Sequence, residues 1–191
     1  MLVLVQVQAL DGARRILVYG VTGSGKSTLA AQISAATGIP WHAIDDLTWR
    51  PGWVEVPKEE QRRLIRDICA GPEWILDAAY GSWPEIPLSR APVVVALDYP
   101  RWLSWQRVVR RTVRRLVRRT PVCNGNYETL RRALSPHDSI IGWHARSFGH
   151  KRRRIRAWAA DPGGPAVLVL TSPRATRTFL ARLRSPSERP L

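Results

Sequence analysis

Short, densely apolar runs alternate along this chain with longer stretches whose apolar residues recur every three to four positions. Residues 15–21 (RILVYGV) have no polar alternation, the pattern of a strand buried on both faces. From 27 to 37, Leu29, Ile33 and Ala36 share one helical face, and Gly38-Ile39-Pro40 stops the pattern. Residues 41–45 (WHAID) predict a second strand. A helix over 57–70 follows, with Leu64, Ile65 and Ile68 apolar and Gly71-Pro72 at its end. Residues 74–77 (WILD) and 93–98 (VVVALD) predict the third and fourth strands. Over 100–119 the spacing predicts a long helix, with Trp102, Trp105, Val109, Val113 and Leu116 as the stripe facing the core. Residues 166–171 (AVLVLT) predict a fifth strand and 174–183 a closing helix.

This alternation implies an α/β fold, a five-stranded parallel sheet with helices on both faces. A length of 191 residues suits one domain. Its core is expected over about 14–119 and 162–184. Residues 120–161 contain no clear strand and are strongly basic, so they read as a helical or mobile insertion, a basic lid. The opening MLVLVQVQAL alternates like an edge strand or a tail. It lacks a basic leader and a small-residue cleavage site, so it is not read as a signal peptide.

The junction between the first strand and the first helix carries chemistry. Gly20-Val21-Thr22-Gly23-Ser24-Gly25-Lys26-Ser27 satisfies G-x-x-x-x-G-K-[ST] at every fixed position, and Thr28 follows. Backbone N–H groups must close around a phosphate there, and glycine permits that approach. A helix starting at this point adds the positive end of its dipole. Lys26 would reach the β- and γ-phosphates, and Ser27 would offer its hydroxyl to Mg²⁺. The motif lies between a predicted strand and a predicted helix, as a P-loop requires. A P-loop NTPase fold binding ATP and Mg²⁺ is therefore expected.

Charge and cysteine content narrow the class. Net charge is +15, from 27 Arg and 3 Lys against 15 acids, which implies a polyanionic partner such as phosphate-bearing ligands or nucleic acid. Cys69 and Cys123 have no CxxC partners, so neither a disulfide framework nor a zinc site is indicated. No apolar run reaches the roughly 18 residues needed to span a membrane. A cytoplasmic address is the expectation, and the pattern is silent on oligomeric state.

Three aspartates, Asp45, Asp77 and Asp98, close three predicted strands on the rim where the P-loop sits. Ligands of open parallel sheets bind outside those carboxyl ends. Together GSGKST, AIDDLTWRPGW (residues 43–53), WILDAAY (74–80) and LDYPRW (97–102) resemble the adenylate-kinase-like small-molecule kinases. The spacing from Asp45 to Trp49-Arg50-Pro51-Gly52-Trp53 narrows the likeness to the branch described as DNA topology modulation proteins. The resemblance covers residues 16–119 and, more weakly, 167–183. It implies several roles. Arg107 would lie against the base or phosphates of ATP, and Arg111, one turn on, would clamp the transferring phosphoryl group. Asp77 would hold Mg²⁺ through water. Asp45, with Asp46 beside it, would orient the acceptor and take its proton, with Trp49 and Tyr80 near the acceptor. The chain departs from the branch at Asp77-Ala78-Ala79-Tyr80, where Asp-Gly-Asn-Tyr is usual, which puts acceptor recognition in question.

Arg131, Arg132, Arg146, Lys151, Arg152, Arg153, Arg154 and Arg156 suit a lid closing over phosphates. His137, His144 and His150 lack the spacing of a metal helix and read as surface or packing residues. Trp41, Trp49, Trp53 and Trp83 fall near the rim and read as anchors or stacking partners. The expected activity is transfer of the ATP γ-phosphoryl group to a small acceptor, such as a nucleotide. The alternative is a nucleic-acid-associated NTP-binding protein without kinase turnover, its contact made by the run 151–156. No [NT]-K-x-D motif for reading guanine is present.

Overall fold

In the computed structural model, residues 10, 12–77, 83–135 and 139–184 are described. Strand β1 (Arg15–Gly20) leads through the glycine-rich loop into α1 (Lys26–Thr37). Then come β2 (Trp41–His42), α2 (Ile44–Thr48), a hairpin of β3 (Trp49–Arg50) and β4 (Val54–Glu55), and α3 (Lys58–Ala70). Strand β5 (Trp74–Leu76), a short α4 (Glu85–Leu88) and β6 (Val93–Leu97) follow. The long α5 (Arg101–Arg118), α6 (Leu130–Leu134) and α7 (Ile140–Ala160) precede β7 (Ala166–Leu170) and α8 (Pro173–Arg184).

Five strands form one parallel sheet in the order β2-β5-β1-β6-β7. β1 is central, with Leu17 in register with Leu76 on one side and Val94 on the other. Strand pleating divides the core into two layers. Ile16 and Val18 pack with Leu29 and Ile33 of α1 and Phe179 and Leu180 of α8. Leu17 and Tyr19 turn to the other face and meet Ile65 of α3, Trp74, Trp83 and Ile155 of α7. The expected α/β sheet with helices on both faces is what the chain forms.

Three expectations change. The second strand stops at His42, and Asp45 lies in the first turn of α2 rather than at a strand end. Of the stripe expected to bury α5, Trp102 is 66% exposed, Val113 52% and Trp105 37%, and Val109 and Leu116 are half-buried, while Ser104, Val108 and Thr112 are buried. The cause is close packing of α5 on the glycine-rich loop. A Cβ on Gly23 would lie 2.5 Å from the Ser104 carbonyl oxygen and closer still to the Val108 side chain, so the Ser104–Val108 face is the one pressed on the loop. Finally, residues 120–161 are not wholly a cover over the site. Ile155 and Trp158 of α7 belong to the second core layer, and α7 lies on β1 and β7. The latter half of the basic segment is thus a structural layer of the sheet.

Candidate nucleotide and phosphoryl-transfer site

The glycine-rich loop is held from within and from behind. Ser24 is buried, and its hydroxyl donates to the Val21 carbonyl at 2.8 Å. Gly25, at φ 100°, turns the chain through a left-handed conformation into α1, which a side chain would strain. Lys26 is half-buried and its Nζ donates to the Val21 carbonyl at 3.2 Å. Burial pushes the Lys26 ammonium down from its ordinary value, while Asp45 and Asp77 draw it back up. Gly20 and Gly23 lie where a Cβ would meet neighbouring backbone, and Thr22 is half-buried. Ser27 and Thr28 are exposed on the first turn of α1.

Behind the loop, Arg107 of α5 donates from Nη1 to the Ser24 carbonyl at 3.2 Å and spreads over the Tyr99 ring at 5.3 Å. It therefore borders the loop. Arg111, one turn on, is half-buried, and its Nε finds no hydrogen-bond partner among the described residues. Burial, then Arg115, push its guanidinium below its ordinary value; Asp45 and Glu128 oppose that. A buried donor left unsatisfied is costly without a ligand.

Asp77 follows β5 and is 7% exposed; its Oδ1 accepts from the Ile44 N–H at 3.1 Å. Burial raises its carboxyl, while Ser27, Ile44 and Lys26 lower it. Asp45 contributes to the fields at Lys26, Asp77 and Arg111, so the structure gathers these residues at one rim. Among the described residues no group of three or more His, Cys, Asp or Glu side chains could hold a metal alone. A Mg²⁺ on triphosphate needs less, one or two protein oxygens with phosphate and water, and Ser27 beside Asp77 fits that demand. Asp98 follows β6 and faces α7. Its carboxylate pairs with Arg152 of α7 at 3.0 Å and fixes that helix to the end of β6.

On the other side of Asp45 stands the β3–β4 hairpin. Trp49 and Trp53 meet edge to face with ring centroids 5.7 Å apart. A tight turn at Val122–Asn126, beyond α5, grips this hairpin. The Asn124 amide donates to the Asp46 and Trp49 carbonyls at 2.5 and 2.7 Å. The Asn126 amide donates to the Arg50 carbonyl at 3.0 Å, and its side-chain oxygen accepts from the Trp53 N–H at 2.7 Å. Arg132 covers the Trp53 ring at 4.5 Å. Tyr80 and His137 lie outside the described residues. Trp83, expected near the rim, is fully buried and donates to Gln61 at 3.0 Å.

The basic run 151–156 divides between inside and outside. Lys151 is 4% exposed, Arg152 is paired with Asp98, and Arg154 lies beside Tyr19, so Arg153 and Arg156 are its exposed members. His144 is fully buried, bonded through Nε2 to the Ser104 hydroxyl at 2.8 Å and tying α7 to α5. Sequence reasoning passed over Asn124 and Asn126. Their one signal was C-N-G-N at residues 123–126, a turn-forming cluster with no local hint of what it would grip.

No family model matches the chain, and no curated protein matches it in sequence. Solved structures match in fold. A shikimate kinase from Acinetobacter baumannii, in complex with shikimate, superposes with TM-score 0.57 at 14% identity, covering 93% of this chain and 94% of that one. A shikimate kinase from Bacteroides thetaiotaomicron gives TM-score 0.53 at 11% identity, with 89% and 96% covered. A gluconokinase from Sinorhizobium meliloti 1021 gives 0.48 at 20% identity, over 88% and 92%. The sheet and its helices have the fold of P-loop small-molecule kinases.

Proposed function

We propose that this chain is a cytoplasmic ATP- and Mg²⁺-dependent kinase that transfers the γ-phosphoryl group to a small acceptor. The observation that carries this reading is the gathering of Lys26, Asp45, Asp77 and Arg111 at the loop whose back is held by Arg107. Within that class the spacing from Asp45 to Trp53 supports the DNA topology modulation branch, a description that supplies no acceptor.

In this mechanism the loop N–H groups and Lys26 bind the β- and γ-phosphates. Ser27 and Asp77 would hold Mg²⁺, which when bound would supply positive charge to offset that of the phosphates. Asp45 orients an acceptor hydroxyl or phosphate and takes its proton as the new P–O bond forms and ADP departs. Arg111 turns its unsatisfied donor to the transferring group, and Arg107 keeps the loop in shape. Trp49 and Trp53 border the acceptor.

Arg111 separates kinase turnover from simple nucleotide binding. ADP release is measured over a panel of nucleoside monophosphates, sugars and hydroxy acids. Arg111→Ala should lower turnover by roughly a hundredfold or more with ATP affinity nearly kept. Wild-type protein that binds Mg·ATP yet turns over no acceptor would overturn the kinase reading.

A further inference from the structure

Helix α5 carries its large apolar side chains on the outside of the molecule. Trp102, Trp105, Val109, Val113 and Leu116 recur at three- and four-residue steps and share one side of the helix, with Val117 one turn beyond Val113. Trp102, Trp105, Val113 and Val117 are exposed, Val117 by 78%. The stripe runs for roughly 24 Å along the helix. The opposite side, with Ser104, Val108 and Thr112, is the one packed on the glycine-rich loop.

The stripe continues past both ends of the helix. Trp102 and Trp105 share a hollow with Arg101 and with Ala145 of α7. Trp143 is exposed beside His144, whose ring lies 5.5 Å from that of Trp105. At the far end Leu116 and Val117 meet Tyr127 and Leu130 around an open groove of about 760 Å³. Leu134, 80% exposed, follows Leu130 by one turn of α6. Single exposed apolar residues are ordinary, but a stripe along one helix that extends onto two others marks a contact surface.

Charge decides what the surface contacts. Helices α5, α6 and α7 contain no Asp or Glu. Arg110, Arg114 and Arg118 of α5, Arg119 just beyond it and Arg131 of α6 are exposed. Glu128, in the groove wall, is turned to Arg115 at 3.8 Å, with its side chain 9% exposed. A second copy of this face would set arginine against arginine with no acid on these helices between them. A nucleic acid could stack on the tryptophans but gains nothing from Val113, Val117, Leu130 and Leu134. A bilayer with anionic headgroups suits all of them. Aliphatic side chains enter the acyl boundary, tryptophans sit at headgroup level, and arginines lie against phosphates. No helix of the described residues is long and apolar enough to cross a membrane, so the contact is with the bilayer surface.

We propose that the outer face of α5, joined by α6 and the first turn of α7, docks on a bilayer that carries anionic lipids. The proposal is independent of the nucleotide reading of the loop.

The test is co-flotation of the full chain with phosphatidylcholine vesicles, with and without about one-third phosphatidylglycerol. Wild type should float with the anionic vesicles at least about tenfold more tightly than with the neutral ones, and less so as salt rises from about 0.1 to about 0.5 M. Trp102→Ser combined with Val117→Ser should weaken binding roughly tenfold or more. Arg110→Gln combined with Arg114→Gln should weaken it by a similar factor and flatten the salt dependence. Both variants should keep the circular dichroism of wild type. No binding of wild type to anionic vesicles, equal binding to neutral ones, or binding unchanged in both variants would overturn the proposal. So would a dimer, or a complex with a single-stranded oligonucleotide, that needs Trp102 and Val117 and forms where vesicle binding does not.

Discussion

The nucleotide side and the acceptor side of the site are built by opposite means. The loop of residues 20–27 is shaped by its own glycines and by one helix, α5, pressed against it. The β3–β4 hairpin has two-residue strands and depends on a turn whose hydrogen bonds cross 73 to 78 residues of sequence. One half is local and dictated by residue type. The other is assembled from distant parts and set by tertiary contact. A difference of that kind should appear when each is cut separately.

The largest effect belongs to the local half. Lys26→Ala should weaken Mg·ATP binding by about a hundredfold or more in isothermal titration, since an ion contact to phosphate is lost. Its circular dichroism should match wild type. Unchanged affinity in the folded variant would mean that the loop is only a structural turn.

A cut in the distant half should leave ATP binding alone. Asn126→Ala removes the acceptor for the Trp53 N–H and the donors to the Arg50 and Cys123 carbonyls. The cost in denaturant unfolding should be about 1–3 kcal/mol. KM for the acceptor should rise while the ATP Kd stays within twofold. Equal loss of both affinities would show that the halves are one unit.

Lys151 makes stability depend on pH. Its folded-state value is lowered to about 7, so between that pH and the ordinary lysine range the unfolded chain binds more protons than the folded one. Stability of the empty protein should therefore gain from this group as pH rises through that window. The advantage of Lys151→Met over wild type in urea unfolding should shrink from pH 7 to pH 9. A constant difference would place Lys151 in a solvated environment.

The smallest effect is at the Asp98–Arg152 pair. The arginine is 39% exposed and the carboxylate 11%, so Asp98→Asn should cost at most about 1 kcal/mol. A drop in turnover larger than the drop in stability would show that α7 must be held at this point for transfer.

The order of these effects follows what could be read in the chain. The five strands and the loop were legible because β-branched runs and glycine spacing are local properties. α5 shows where periodicity fails. It picked out Trp102, Trp105 and Val113 as core positions, whereas the fold buries Ser104, Val108 and Thr112. The deciding fact was the close approach of α5 to the glycine-rich loop at Gly23, and that is a property of the assembled fold. Asp45 was singled out as the end of a strand, but that strand stops three residues earlier, at His42. α7 looked like a lid because its arginines outnumber its core residues; Ile155 and Trp158 still suffice to bind it to the sheet.

The turn at Val122–Asn126 also sets an order of events during folding. Closing a loop of more than seventy residues costs chain entropy before any of its hydrogen bonds can return it. The hairpin is too short to stand alone in water. It should therefore stay open until the sheet and α5 have formed, and become ordered last. In pulse-labelled hydrogen exchange during refolding, the Trp53 amide should gain protection after Val18 and Val95 of the central strands. Simultaneous protection at all three would mean that the sheet and the hairpin fold as one cooperative step.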